Sequence, residues 1–246
     1  MPLLYCTFYS IIAIRQSISF FGGEGVIFTV ADLTVKAENP LPYLLKTHRD
    51  YLSPDAQPQL TVTLTETKPI EQSIELLRAV SNELIKKDTF LFHCSALSYE
   101  GKAILFAAHS GVGKSTHARM WREEFGDKVT MVNDDKPFLR FEGDTLYVFG
   151  SPWDGKHHLS TNTKVPVAAL CFIFRGEENR VAPMNAADAL NIIFDQVPRT
   201  SDPEYMSRLL ALLDKMLTRL PLYSLFCRPD HEAARVALKG IIGDEL

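Results

Sequence analysis

Cysteines are few in this sequence, and they lie far apart. The four that occur are Cys6, Cys94, Cys171 and Cys227, and no two of them form a C-x-x-C motif. Neither a zinc ribbon nor a disulfide framework is therefore predicted. Free thiols of this kind are typical of the reducing cytoplasm, which is where we expect the protein to be located.

Clusters of basic residues are missing as well. The formal net charge is −4 at pH 7, and Lys and Arg form no run in the chain. Proteins that bind nucleic acids neutralise backbone phosphates with clustered Lys and Arg. The composition therefore argues against a nucleic-acid partner.

No hydrophobic run is long enough to cross a bilayer, which takes about 20 apolar residues in a helix. The apolar stretch at residues 1–14 ends at Arg15, and it has neither a basic start nor a small-residue cleavage site after it. We predict a strand there rather than a targeting signal, and we expect no membrane partner.

The remaining composition is typical of a globular protein, with 46% hydrophobic and 23% charged residues among 246. Alternating β-branched residues and turn residues predict a small, mostly antiparallel β lobe over residues 1–68. Strand and helix patterns predict an α/β domain over residues 69–246. A homo-oligomer is compatible with the sequence, which does not specify one.

Hydrophobic periodicity and turn residues predict the individual elements. Predicted strands cover residues 17–20, 26–35, 60–64, 90–97, 103–107, 128–132, 138–141, 146–149, 165–174 and 222–226. Predicted helices cover residues 69–87, 115–125, 185–196, 202–219 and 231–241, with a shorter one near 43–51. Residues 150–163 have no period and predict a long loop, a type of segment that often has a function.

A glycine-rich segment, AHSGVGKST at residues 108–116, lies between a predicted strand and a predicted helix. It matches the phosphate-loop pattern G-x-x-x-x-G-K-[ST] except at the first position, where Ala108 replaces glycine. Alanine is tolerated there if its φ is negative. In this pattern the lysine, here Lys114, reaches the β- and γ-phosphates, and the next hydroxyl, that of Ser115, binds Mg²⁺. The segment predicts a site for ATP and Mg²⁺, with these binding residues: Ser110, Gly111, Val112, Gly113, Lys114, Ser115 and Thr116.

Two adjacent carboxylates, Asp134 and Asp135, follow the strand predicted at 128–132. Ligands of α/β sheets bind beyond the carboxyl ends of strands, so we expect this pair to face the phosphate loop. Neighbouring side chains of a strand point to opposite sides. One carboxylate can therefore serve the metal while the other serves the acceptor hydroxyl. The alternative is a solvated turn of two aspartates.

Three parts of the sequence resemble the HPr kinase/phosphorylase-like group, whose P-loop fold is shared with phosphoenolpyruvate carboxykinases. They are His93 on the strand before the loop, Ser110-Gly111-Val112-Gly113-Lys114-Ser115, and Val132-Asn133-Asp134-Asp135. The resemblance covers residues 93–149 and implies a P-loop core with a mixed sheet rich in β-hairpins.

The resemblance also implies roles for individual residues. Asp134 would be the general base and Asp135 the metal-linked carboxylate, with His93 beside them; together with Lys114, we predict Asp134 and His93 as catalytic. Taken alone, a histidine among Phe90 and Phe92 would more often be a core residue bonded to a backbone carbonyl.

The predicted function is an ATP-dependent kinase that transfers the γ-phosphoryl group to a hydroxyl of a small molecule or to a peptide or protein serine. Lys156 and His157 in the long loop, and Arg175 at a strand end, are candidates for contacts with the acceptor or the transferred phosphoryl group. The family's protein-docking segment is not recognisable after Val165, so transfer to HPr itself is not expected.

Three other functions fit parts of the pattern. A nucleotide-binding regulatory protein would keep the loop and catalyse nothing. An ATP-linked carboxykinase-like enzyme would share the fold, but this chain is much shorter and offers no convincing set of arginines for a dicarboxylate. A metabolite kinase of the shikimate or gluconate type has a similar loop near its N-terminus, whereas residues 1–107 precede the loop here.

Overall fold

A computed structural model describes residues 25–243 of the chain. The strands predicted at residues 1–14 and 17–20 lie outside the described residues. The chain divides into two compact units, of which the first ends at Val80 and the second begins at Ser81. This division falls inside a helix, whereas the sequence placed a boundary before that helix, between residues 68 and 69.

The first unit contains a three-stranded sheet among the described residues. Its elements are β1 (Val26–Val30), β2 (Leu33–Glu38), β3 (Leu60–Thr63), helix α1 (Pro42–Thr47), a 3₁₀ turn (Arg49–Tyr51) and most of helix α2 (Pro69–Leu84). β2 is antiparallel to β1 and parallel to β3, so this sheet is mixed rather than mostly antiparallel.

The single strand predicted over residues 26–35 was wrong, because the chain turns at Ala31 and Asp32. Both residues have positive φ values, 46° and 61°, as two-residue hairpin loops of the I′ type require. Ala-Asp is not one of the dipeptides that favour this turn, so the sequence carried no strong signal for it.

The second unit is built on a mixed sheet of nine strands within residues 81–243. The strands are β4 (Thr89–Leu91), β5 (Ser95–Tyr99), β6 (Lys102–Ala107), β7 (Val129–Asn133), β8 (Phe138–Glu142), β9 (Thr145–Phe149), β10 (Lys164–Arg175), β11 (Arg180–Pro183) and β12 (Leu222–Cys227). The helices are α3 (Lys114–Phe125), α4 (Ala186–Ile193), α5 (Pro203–Arg219) and α6 (His231–Ile242), with 3₁₀ turns at Ile85–Lys87 and Gly126–Lys128.

Side-chain caps explain where three of these helices begin. Asn185, Asp202 and Asp230 each accept a hydrogen bond from a backbone N–H in the first turn of α4, α5 and α6. Such a cap satisfies a donor that has no partner within the helix. None of the helices within residues 25–243 combines the length and the apolar composition that crossing a membrane takes.

The order of strands in the large sheet is β4-β8-β9-β10-β6-β5-β7, and β12 and β11 continue from the second half of β10. β10 is central, since it runs parallel to β6 and β12 and antiparallel to β9. The hairpins β5–β6 and β8–β9 form as predicted. The expectation of a mixed sheet rich in β-hairpins is therefore confirmed for this unit.

Helices cover both faces of the large sheet. Along β6, Leu105 and Ala107 belong to the cluster that includes α4 and α5, whereas Ile104 and Phe106 belong to the cluster that includes α3 and α6. This alternation is the period of two of a strand that is buried on both faces. Because both faces of the sheet are covered, polar side chains can cluster only at the ends of the strands.

The strand predicted over residues 90–97 is interrupted, which corrects the predicted position of His93. Residues 92–94 separate β4 from β5, so His93 lies in a connection and not on a strand. Its backbone N–H donates to the carbonyl of Gln196 at 2.7 Å. That long-range bond replaces a bond of the strand ladder, and the hydrophobic pattern of the segment does not encode it.

Candidate functional site

The glycine-rich loop, residues 108–113, connects β6 to the first residue of α3. Gly111 and Gly113 have φ values of 78° and 129°, which only glycine adopts without strain. A Cβ built on either glycine meets no described heavy atom within 4 Å, so these positions are open towards a ligand. Ala108 is not among the described residues with positive φ, so alanine causes no strain at the first motif position.

Lys114 begins α3 and folds back over the loop. Its ammonium group donates to the carbonyl of Ala108 at 3.1 Å. Burial lowers the pKa of Lys114, while the nearby carboxylates of Asp135 and Asp134 favour its charged form. The side chain is therefore held at the loop, where a helix N-terminus and the loop amides already favour an anion.

Strand directions explain why the two aspartates lie near this loop. β5 is antiparallel to both β6 and β7, so β6 and β7 run in the same direction and end at the same edge of the sheet. The loop follows β6, and Asp134 and Asp135 follow β7. The first residue of β5, Ser95, lies at that edge too.

Asn133, the last residue of β7, shapes the turn that carries both aspartates. Its side-chain carbonyl accepts hydrogen bonds from the backbone N–H groups of Asp135 and Lys136, at 2.8 and 2.7 Å. Its amide donates to the carbonyl and hydroxyl oxygens of Ser151. Because Asn133 is fully buried, its four hydrogen bonds fix the backbone of the turn.

Asp134 is held by a residue of the neighbouring strand. The hydroxyl of Ser95 donates to its carboxylate at 2.6 Å. Ser95 has no exposed surface, and Asp134 retains 9% of its own. One carboxylate oxygen is thus fixed from within the protein, while the residue still lines the pocket described below.

Asp135 has different partners from Asp134. Its carboxylate lies 3.1 Å from the Nε2 of His93 and also contacts the ammonium group of Lys136. Burial by itself would raise the pKa of Asp135, but the hydrogen bonds and charges of His93 and Lys136 outweigh it and hold that pKa below its usual range. The second carboxylate is therefore kept ionised, as a metal ligand must be.

The turn after α4 supports both His93 and the glycine-rich loop. Besides the bond from the His93 backbone to Gln196, the carboxylate of Asp195 lies 3.2 Å from the Nδ1 of His109. Sequence analysis assigned no role to this turn, because its residues are distant in the chain from those that it contacts.

The glycine-rich loop, both aspartates and His93 line one pocket with a volume of about 800 Å³. The lining residues are His93, Ser110, Gly111, Gly113, Lys114, Ser115, Thr116, Arg119, Arg122, Asp134, Asp135, Gly155, Lys156, His157 and Leu159. Most of the predicted site residues therefore share one space. Val112 instead packs against the core cluster of α3 and α6, and Arg175 donates to the carbonyl of Gly111 at 2.8 Å.

The long loop at residues 150–163 is ordered by its own contacts. The buried carboxylate of Asp154 accepts a 2.9 Å hydrogen bond from Ser160 and lies 3.1 Å from the Nδ1 of His158. The backbone N–H of Thr161 donates to Val132 of β7 at 3.2 Å. Gly150 allows this approach, since a Cβ there would lie 1.9 Å from the Thr161 carbonyl oxygen. These contacts place Lys156 and His157 at the pocket.

Ser95, Arg119 and Arg122 were not predicted as site residues, and Asn133 was noted only as part of the family resemblance. The two arginines could have been found from helical spacing, because they follow Ser115 by four and seven positions and so share its face of α3. Nothing local marks Ser95, whose contact with Asp134 spans 39 positions.

No cluster of three or more His, Cys, Asp or Glu side chains that could hold a metal occurs in the part of the chain that the structure describes. Mg²⁺ usually takes one or two protein ligands, several waters and phosphate oxygens of the substrate. The hydroxyl of Ser115 and a carboxylate in the same pocket fit that donor set.

No protein-family model and no curated protein sequence matches this chain. Among solved structures, the chain is similar to the Hpr(Ser) kinase/phosphatase from Coxiella burnetii, with 12% identity and a TM-score of 0.38 over 62% of this chain and 87% of that one. A likeness at this TM-score carries no argument about chemistry. The function proposed below rests on the geometry of the pocket.

Proposed function

We propose that this protein is an ATP-dependent kinase that transfers a γ-phosphoryl group to a hydroxyl of a small molecule or of a peptide or protein serine. One observation carries the proposal: Lys114, Ser115, Asp134 and Asp135 line a single pocket at a helix N-terminus. Phosphoryl transfer needs neutralised phosphates, a metal and a group that accepts the proton of the acceptor. These residues would neutralise the phosphates, hold the metal and accept the proton.

The donor nucleotide would bind at the glycine-rich loop. The backbone N–H groups of residues 110–116 and the ammonium group of Lys114 would hold its β- and γ-phosphates. Ser115 and Asp135 would hold Mg²⁺, which when bound neutralises charge on the phosphates. The ionised state of Asp135, which His93 and Lys136 maintain, suits this role.

Asp134 would act as the general base. The oxygen of the acceptor hydroxyl forms a bond to the γ-phosphorus, the bond from that phosphorus to the bridging oxygen of ADP breaks, and the hydroxyl proton passes to the Asp134 carboxylate. The hydrogen bond from Ser95 orients that carboxylate before the acceptor arrives. General bases of this kind contribute about 10²- to 10⁴-fold to rate.

Two measurements test the proposal. The first is binding of Mg·ATP to the isolated protein, and the second is transfer of labelled phosphate to a panel of hydroxyl compounds and serine peptides. Lys114→Ala should abolish measurable nucleotide binding, whereas Lys102→Ala, an exposed lysine at the start of β6, should leave it unchanged. Asp134→Asn should keep nucleotide affinity and lose about 10²-fold or more in transfer rate.

Two outcomes would overturn parts of this function. Full transfer by Asp134→Asn would remove Asp134 as the base. Tight Mg·ATP binding without transfer to any acceptor would instead favour a regulatory nucleotide-binding protein that catalyses nothing.

A further inference from the structure

A row of side chains along α3 extends the pocket away from the glycine-rich loop. Ser115, Arg119 and Arg122 are spaced four and three positions apart, so they lie on one face of the helix, and all three line the pocket. With a rise of 1.5 Å per residue, the two arginines lie about 6 and 10 Å beyond Ser115 along the helix axis. They are therefore one and two turns away from the loop that would hold the phosphates.

The positive charge of this region is not balanced within the protein. The Nε of Arg122 is buried and has no hydrogen-bond partner among the described residues. Buried polar groups are almost always paired, so this nitrogen shows that the protein does not fully satisfy the Arg122 guanidinium. Arg119 lies 3.4 Å from Glu123, and both of these side chains are exposed.

The loop at residues 150–163 adds a further positive charge to the pocket lining. Lys156 comes from the loop at residues 150–163 and lines the same pocket; within residues 25–243 it has no acidic partner. The two acidic residues of the lining, Asp134 and Asp135, already have partners in Ser95, His93 and Lys136. Arg122 lies about 10 Å beyond Ser115 along the helix axis, so an anionic group separate from the phosphates at the loop would pair with Arg122 and Lys156.

We propose that the hydroxyl acceptor carries an anionic group, a carboxylate or a phosphate, which Arg119, Arg122 and Lys156 bind while the hydroxyl faces Asp134. This inference rests on the proposed kinase function and names the substrate class of that site. Guanidinium groups bind carboxylate and phosphate oxygens through paired hydrogen bonds, which fixes the orientation of the ligand as well as its affinity. Arg119 and Arg122 thus select acceptors by charge and orient the hydroxyl towards Asp134.

Matched pairs of acceptors test the charge requirement. Glycerate is compared with glyceramide, glycerol 3-phosphate with glycerol, and a serine-ended peptide with a free carboxyl terminus with its amidated form. The member with the anion should have a kcat/KM about ten- to a hundredfold higher, the range that charge-assisted hydrogen bonds give. The three pairs distinguish a small carboxylate, a phosphate and a peptide terminus as the source of the anion.

Substitutions distinguish a role in binding the acceptor from a role in binding the nucleotide. Arg122→Gln and Lys156→Gln should each raise KM for the anionic acceptor about tenfold and change the Kd for Mg·ATP less than twofold. Arg235→Gln, which removes a surface arginine paired with Glu124 outside the pocket, is the matched control and should change neither. A rise in the Kd for Mg·ATP with an unchanged acceptor KM would overturn the inference, because the arginines would then serve the nucleotide.

A binding measurement tests the anion site even if no acceptor of the panel is phosphorylated. The protein is saturated with Mg²⁺ and a non-hydrolysable ATP analogue, and inorganic sulfate is then titrated as the probe. Binding that Arg122→Gln weakens about tenfold supports the anion site, and equal binding by both proteins overturns it. Failure of the analogue to bind would instead refute the kinase function, so the two failures are distinguishable.

Discussion

The hydroxyl of Ser95 donates a 2.6 Å hydrogen bond to the carboxylate of Asp134. Ser95 begins strand β5, and Asp134 follows the end of the neighbouring strand β7. Both residues lie at the edge of the sheet where the glycine-rich loop begins. Since Ser95 is fully buried, its hydroxyl is fixed, and it fixes one oxygen of the carboxylate in turn.

Ser95→Ala should therefore lower kcat by about ten- to a hundredfold, because a small displacement of a catalytic group is costly in rate. The Kd for Mg·ATP should change little, since the hydroxyl of Ser95 bonds to Asp134 and not to the loop. Ser95→Thr keeps the hydroxyl and should retain more activity than Ser95→Ala. Equal kcat values for Ser95→Ala and the wild type would show that this bond does not position Asp134 for catalysis.

Gly113→Ala should weaken Mg·ATP binding by about tenfold or more. Its φ of 129° is strained for alanine even though no described atom lies near the added Cβ, and such strain costs on the order of 1–3 kcal/mol. Gly101→Ala is the matched control, because Gly101 also has a positive φ and an open Cβ position but lies in the β5–β6 turn. Isothermal titration calorimetry should show weakened binding only for the first variant.

In His93→Gln, Mg²⁺-dependent nucleotide binding should be lost at a higher pH on acidification than in the wild type. His93 and Lys136 hold the pKa of Asp135 below its usual range, so the carboxylate stays ionised as pH falls towards that lowered pKa. Removing the histidine raises this pKa, and the ionised ligand is then lost earlier on acidification. His231→Gln, which removes a surface histidine paired with Glu123 and Glu124 outside the pocket, should leave the pH profile of binding unchanged.

His117→Gln should make stability less sensitive to acid. Burial lowers the pKa of His117 from 6.5 to about 3, and its Nε2 accepts a 2.9 Å hydrogen bond from the indole of Trp121. Between those two pH values the unfolded chain binds a proton here that the folded chain does not. The free energy of unfolding therefore falls with decreasing pH, by on the order of 1 kcal/mol per pH unit.

Glutamine keeps a hydrogen-bond acceptor for Trp121 but cannot titrate. Between pH 3 and 6.5, unfolding of the variant should therefore take up about one proton fewer, and its free energy of unfolding should depend less steeply on pH. Urea unfolding followed by tryptophan fluorescence measures the slope. The surface variant His231→Gln should retain the slope of the wild type. An unchanged slope for His117→Gln would mean that the histidine is already protonated in the folded protein. His48, whose pKa burial also lowers to about 3, leaves a residual pH dependence in every variant.

Local features of this protein could be predicted from the sequence. The glycine-rich loop, the hairpins β5–β6 and β8–β9, and the start of the last helix after Asp230 all involve residues that are close in the chain. Their conformations depend on φ preferences and on neighbouring donors, which single residues determine. For the same reason the sequence placed Lys114 and Ser115 at the start of a helix.

Predictions failed where residues distant in the chain decide the conformation. The connection at His93 depends on the carbonyl of Gln196, and β11 forms only because β12 offers an edge. A four-residue strand that ends in proline carries no pattern of its own. The turn at Ala31 and Asp32 likewise lacked a glycine or asparagine to mark it.

By itself, therefore, the sequence determined the groups that the pocket contains: a glycine-rich loop with Lys114 and Ser115, and an aspartate pair at the end of a strand. Only the tertiary structure decided which side chains meet there. The strand order pairs Ser95 with Asp134, the connection after β4 brings His93 to Asp135, and the loop at residues 150–163 brings Lys156 to the pocket that Arg122 lines. These pairings depend on how strands are ordered and crossed, which no local spacing of residues encodes.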